Sequence, residues 1–474
     1  MRRVIAIATL FLALFLAGCA STGAKVDELS PALPENLTLP EQFSSQSAID
    51  DVLSEGWWKR WNDPVLDSLV EEAVDANLDL KLAAARIREA RISLELAHAD
   101  LLPSVSAAAS AGRARNNTLD KIVNSFSGSL NFSWQPDLWD SIASRELATL
   151  YDLERLREEN IRAYRSIVAS IVKSYVSMRS AAEQVSLAEE IISNDKERLE
   201  VVRARFEAGL VPSSDVYMEE QTLTETRARL HIYRAEERIA RHTINTLLGR
   251  YPTTSIKNSI ELALPAPTPA GLPSALLADR ADVRAALNAV KAAASRVSAS
   301  EGDLMPSFTI SASAGVNGEE LGDLLDWERR FWNILGNLLY PIFNGDKLEK
   351  AVSKAQVLKE ETVIAYGKVI LTAMKEVEDA LVTEAEQFNR LEALTESAEL
   401  AKLSLEITQD RYSRGLANII PSLNARRALY SVESSKIDAK KTIMVNRASL
   451  HLALGGDFGH EVKRAEEAPD NDNE

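Results

Sequence analysis

Arg205-Phe206-Glu207-Ala208-Gly209-Leu210 returns 206 residues further on as Arg411-Tyr412-Ser413-Arg414-Gly415-Leu416. Outward from this pair, three more segments recur in the same order. Leu102-Pro103-Ser104-Val105-Ser106 is matched by Met305-Pro306-Ser307-Phe308-Thr309. Trp134-Gln135-Pro136-Asp137-Leu138-Trp139 is matched, more loosely, by Leu339-Tyr340-Pro341-Ile342-Phe343-Asn344. Leu247-Leu248-Gly249 is matched by Ala453-Leu454-Gly455. The offsets stay between 203 and 206, which marks a tandem duplication. The first repeat spans 51–261, the second 274–456, and the Pro-rich stretch 262–273 joins them.

Each repeat has the same expected order. A helix comes first (Leu66 to Leu101; Ser274 to Leu304), and a proline ends it. A strand pair follows, at 104–135 and 307–340. Phe308, Ile310, Ala312, Ala314 and Val316 fall on one side, with Ser307, Thr309, Ser311, Ser313 and Gly315 opposite. Phe126, Leu130, Phe132 and Trp134 alternate with Ser127, Ser129, Asn131 and Ser133 in the same way. Period two means strand. Val105 to Ala111 alternates too, mostly with alanine, and Phe331 to Tyr340 is a weaker strand. The links around Asn116 to Asn124 and Asn317 to Glu328 are polar and suit hairpin loops.

A long helix is expected at 138–207 and again at 345–413, each followed by a return helix, at 213–248 and 417–454. The stripe Ile161, Tyr164, Val168, Ile171, Tyr175, Met178, Ala182, Val185, Ile192, Leu199 advances in steps of three and four or whole heptads. The second stripe is Ile370, Met374, Val377, Leu381, Phe388, Leu391, Ala398, Leu405, interrupted at Glu384 and Thr395. A heptad pattern demands partner helices. Seventy helical residues extend roughly 105 Å, too long for a single compact core. A tube of neighbouring helices would shield them.

Strands of about ten residues with one apolar side fit a transmembrane barrel. The alternation alone also allows a soluble four-stranded sheet. Four strands cannot close, so a membrane barrel must be shared among chains. Two chains would give eight strands and a filled interior; three would give twelve and a lumen.

The chain has 474 residues with 46% apolar, enough for a core. One cysteine excludes an intrachain disulfide and a multi-thiolate zinc site. A net charge of −16 argues against nucleic-acid binding. The five histidines show no ligand spacing, and neither a nucleophile constellation nor a phosphate loop is present, so the sequence reads as no enzyme and implies no cofactor. The N-terminus reads as an export signal: Arg2-Arg3, the apolar run Val4 to Ala17, then Leu16-Ala17-Gly18-Cys19. That ending resembles a bacterial lipoprotein signal, which implies a cut after residue 18 and a lipid on Cys19. Ala20 at mature position two favours the outer membrane. Residues 19–50 read as an extended linker and 457–474 as an acidic, disordered tail.

The duplication, strand pairs and heptad helices together resemble the TolC-type outer membrane factors, in their OprM/NodT-like lipoprotein branch. Trp57-Trp58-Lys59-Arg60-Trp61-Asn62-Asp63-Pro64, Asn77-Leu78-Asp79-Leu80 and Ala84-Ala85-Arg86-Ile87 look like the opening of that family. Gly271-Leu272-Pro273-Ser274, Arg280-Ala281-Asp282-Val283-Arg284 and Pro341-Ile342-Phe343-Asn344-Gly345 look like its second repeat, with Ala281 in place of the usual proline. The resemblance covers about residues 19–456.

It implies a mainly α fold with a small transmembrane β part: a homotrimer with a 12-stranded β-barrel in the outer membrane and a 12-helix α-barrel through the periplasm. It implies the exit duct of a tripartite efflux pump, with a periplasmic membrane-fusion adaptor and an inner-membrane RND-type transporter as partners. The lipid anchor and linker favour small-molecule efflux over the type I protein exporters that share the architecture. A coiled-coil scaffold lipoprotein would have no use for amphipathic strands. The family places adaptor docking at the two helix turns, here Gly209, Leu210, Gly415 and Leu416. Its periplasmic gate implies a link from Tyr412 to Asp215. The partner basic position falls on Ala417, leaving Arg411 or Arg414 as substitutes. The family's acidic ring falls on Pro421 and Asn424, neither of them charged.

Overall fold

The computed structural model describes residues 56–116, 121–256, 264 and 280–455. The signal 1–18, Cys19, the linker 19–50, the join 262–273 apart from Leu264, and the tail 457–474 lie outside the described residues. The chain divides into two compact units. One contains Pro103–Tyr151 and Ala289–Ile364, and the other contains Thr38–Leu102, Asp152–Asn288 and Ala365–Glu474.

The first unit is built on a four-stranded antiparallel sheet in the order β1 (Ser104–Asn116), β2 (Lys121–Trp134), β3 (Ser307–Gly318), β4 (Arg330–Leu339). Pairing aligns Val105 with Phe132, Phe132 with Ala312, and Ala312 with Ile334. Directly opposed residues share a face. The apolar side of every strand therefore falls on one continuous face: Val105 to Ala111, Phe126 to Trp134, Phe308 to Val316 and Trp332 to Leu338, each read at alternate positions. The other face is rich in Ser and Asn, where Ser110 bonds Ser127 at 2.8 Å and Ser313 donates to Asn131 at 3.0 Å. β1 and β2 run further toward each other than their alternation suggests, so the first hairpin link is shorter than Asn116 to Asn124.

Helices α1 (Pro64–Ala76), α2 (Leu78–Ala99), α3 (Ser141–Glu207), α4 (Ser213–Leu247), α5 (Ala281–Gly302), α6 (Lys347–Ser413) and α7 (Ile420–Ala453) make up the rest of the described regular structure, apart from three short 3₁₀ turns. The expected single helix from Leu66 to Leu101 is two. Asn77 leaves the helical region at ψ 132°, and its side chain accepts from the N–H groups of Asp79 and Leu80, restarting the helix. Both long helices start later than expected because Asp140 and Asp346 adopt positive φ, at 56° and 59°. The second return helix starts at Ile420 rather than 417, with Pro421 in its first turn, where a missing N–H leaves no intrahelical bond unmade. Among the described residues no helix is long and apolar enough to cross a membrane.

The second unit carries the main core. Val168, Ile171, Val172, Tyr175 and Met178 of α3 pack with Leu66, Val70 and Ala73 of α1, Ile244 of α4 and Met444 and Ala448 of α7. Trp57 and Trp58 of the first 3₁₀ turn close this core, with Trp57 stacked on the His451 ring at 4.5 Å. Tyr175 keeps its hydroxyl satisfied there by donating to Asp63 at 2.7 Å.

Candidate functional site

The two quoted hexapeptides form matching helix turns. Leu210 N–H bonds the Arg205 carbonyl at 2.8 Å and Gly209 N–H that of Phe206 at 2.9 Å. Leu416 and Gly415 bond Arg411 and Tyr412 in the same way, at 2.8 and 3.0 Å. These are Schellman ends, and they need a left-handed residue, supplied by Gly209 at φ 71° and Gly415 at φ 73°. The residue after each glycine usually folds back on its helix. Here Leu210 and Leu416 remain 69% and 67% exposed.

Beside these turns Tyr412 of α6 donates to Asp215 Oδ2 in the first turn of α4, a long bond at 3.4 Å. Asp215 is buried. Burial, and after it the Asp215 charge, pushes the Tyr412 phenol up. The cation on this pair is neither Arg411 nor Arg414. Arg411 is exposed, and Arg414 pairs with Asp410 one turn back at 2.9 Å. Instead Arg205 of α3 lies over the Tyr412 ring, 5.1 Å from its centre, and reaches the Ser413 carbonyl at 3.4 Å. Ala417 is half-buried, while Pro421 and Asn424 are exposed.

Further along the same helices is a group that sequence reasoning missed. Arg426 of α7 forks between two carboxylates of the first repeat, Asp195 of α3 at 2.8 Å and Glu219 of α4 at 2.7 Å. Their side chains are 1%, 0% and 4% exposed. Burial pushes the Asp195 carboxyl up, against the pull of Arg426. The next step along is neutral: Gln184 of α3 and Ser434 of α7 exchange two hydrogen bonds, at 2.9 and 3.0 Å. Beyond it, α7 bonds its own partner α6, through Arg447 to Glu384 at 3.0 Å and Asn446 to the Ala380 carbonyl at 2.8 Å. Tyr412, Arg426 and Ser434 thus tie the second repeat to the first, whereas Asn446 and Arg447 hold the second hairpin together.

The described residues hold no group of His, Cys, Asp or Glu arranged to bind a metal. The arrangement joins helices of the two repeats side by side.

The sequence profile of the outer membrane efflux protein family matches residues 69–250 and 272–456. The chain belongs to that family. It is 28% identical to the cation efflux system protein CusC of Escherichia coli O6:H1, over 94% of this chain and 97% of that one. It is 27% identical to the pyoverdine export outer membrane protein OpmQ of Pseudomonas aeruginosa, over 94% and 95%. The solved outer-membrane channel OprN superposes with a TM-score of 0.83 at 25% identity, covering 90% of this chain and 98% of that one. The protein is therefore an efflux channel component of the outer membrane, with the TolC-like architecture. The two profile matches fall on its two repeats.

Proposed function

We propose that three copies of this chain close one twelve-stranded barrel and form the passive exit duct of a tripartite efflux pump. The supporting observation is the sheet: one continuous apolar face, one polar face, and two outer strands, β1 and β4, each paired on one side only within the chain. Such a sheet spans a membrane only when copies complete it. The partners in this reading are a periplasmic membrane-fusion adaptor and an inner-membrane RND-type transporter. Cys19 carries lipid and holds the N-terminus to the outer membrane, beyond the affinity of a single acyl chain. The cargo is small molecules or ions rather than protein, a reading supported by the printed roles of CusC and OpmQ.

In this reading Leu210 and Leu416 dock the adaptor, because exposed leucines on ordered turns gain free energy when a partner covers them. The closed periplasmic end is held by Tyr412 on Asp215 and by the Arg426 fork. The test has two parts. Native mass spectrometry in detergent should give three chains per particle, and planar bilayers should show single channels; a two-chain particle or a silent bilayer overturns the barrel. Leu210→Asp with Leu416→Asp should abolish efflux while assembled channels persist, and normal efflux in that variant refutes the docking role.

A further inference from the structure

The sheet's apolar face is uncharged along its whole band, from Val105 to Ala111, Phe126 to Trp134, Phe308 to Val316 and Trp332 to Leu338 at alternate positions. At the end nearest the two hairpin links, the next residue on that same face differs by strand. On the inner strands it is Asn124 of β2 and Gly318 of β3. On the two outer strands it is arginine: Arg113 of β1, opposite Asn124, and Arg330 of β4, opposite Val316. Both are exposed, and Arg115 follows Arg113 on the same face. At the other end the face finishes on Val105, Trp134, Phe308 and Leu338, with no charge.

This placement has three physical consequences. A guanidinium just past an apolar band extends its head out of hydrocarbon while its stem stays on the band. Cations at one end only suit a leaflet surface rich in anionic headgroups at that end. The chain as a whole is −16, yet the charged strand residues on this face, Arg113, Arg115 and Arg330, are all cations. The nearby β3–β4 link carries five carboxylates, Glu319, Glu320, Asp323, Asp326 and Glu328, and two of them are turned to the link itself. Asp323 accepts from the N–H groups of Glu319 and Glu320, both at 2.9 Å, and pairs with Arg329 at 3.2 Å, while Asp326 accepts from Glu328 N–H. Asp323 and Asp326 are thus engaged within their own loop. Arg330 itself lies against the Trp327 ring.

We propose that Arg113 and Arg330 form a binding site for the phosphate groups of an outer-leaflet glycolipid, completed at each seam where β1 of one copy meets β4 of the next. The inference rests on the shared-barrel reading, which brings the two outer strands together and turns their apolar face to lipid. It also follows that reading in setting the hairpin end at the outer leaflet, since each strand pair passes into its long helix at the other end. Arginine suits the role because its planar fork grips phosphate oxygens in pairs.

The experiment uses the purified full-length assembly in detergent, titrated with bisphosphorylated lipid A, dephosphorylated lipid A, zwitterionic phosphatidylethanolamine or inorganic phosphate. Native mass spectrometry counts bound lipid, and thermal dissociation of the assembly follows the effect. Bisphosphorylated lipid A should bind roughly tenfold more tightly than its dephosphorylated form and raise the dissociation temperature. In Arg113→Gln with Arg330→Gln that preference should vanish, with single-channel conductance unchanged. Equal binding of both lipid A forms to the wild type overturns the site without needing any variant. So does an unaltered preference in the double variant, or an equal temperature rise from phosphate alone, which would indicate anion binding without lipid. Wild-type conductance tests the barrel separately, so a conducting channel indifferent to lipid phosphate refutes only this proposal.

Discussion

His451 shows how far a single side chain can depart from its ordinary chemistry. Burial, reinforced by the charges of Arg60 and Arg447, pushes its imidazole down to about 3. The unfolded chain takes up this proton near 6.5, whereas the folded one refuses it until far lower. Acidification from above 6.5 toward 3 therefore favours unfolding. Between pH 7 and pH 5 the loss is roughly 2 kcal/mol per chain. His451→Gln should flatten the fall in melting temperature over that range, and an unchanged slope would show that other groups dominate. Arg426 acts at the same scale in another way. Arg426→Met strands two buried carboxylates, at a cost of about 3–5 kcal/mol. A triple variant that adds Asp195→Asn and Glu219→Gln removes the stranded charges and should assemble. Without the pump, the triple variant should admit a bulky antibiotic to which the wild type is closed. Arg447→Met with Glu384→Gln, within one hairpin, should lower stability without that leak. Equal leak from both variants would remove Arg426 from any role in closure.

Elements were legible where their pattern repeats. Period-two alternation located all four strands, and registry turned four separate patterns into one apolar face. The heptad stripe located both long helices, and its members Val168, Ile171 and Val377 are fully buried. What the sequence hid depends on distant partners. The break at Glu384 is a buried ion pair with Arg447, and Asp195 fills a stripe position because Arg426 meets it from 231 residues away. Nothing local marks either pair. Asn77 was hidden for the opposite reason: the apolar spacing runs on through it, and only its side-chain cap divides the helix. At the helix turns the paired glycines were readable, but Arg205, not Arg411 or Arg414, is the guanidinium over Tyr412. Gly315 also became visible only in the sheet. A Cβ there would lie 2.2 Å from the Gly128 carbonyl oxygen and 2.9 Å from Ser129 Cα, both backbone atoms. Gly315→Ala should therefore pry β3 from β2 and cut the yield of assembled channel sharply, as read on unheated gels. Gly128→Ala, with open space around its Cβ position, should not.

For the whole molecule, duplication in a three-copy ring means six hairpins that are related but not identical. The two repeats differ at the buried fork. Arg426 stands in the second repeat and its two carboxylates in the first, while the position in the first repeat that matches Arg426 by the 206-residue offset is Glu220, paired with Arg203 of its own hairpin. The first repeat therefore carries no counterpart of the fork, and in the proposed ring only the boundary within each chain would have it. Either repeat expressed alone would carry only one half of the fork. In the proposed ring, boundaries of unequal strength would let one kind part while the other stays closed.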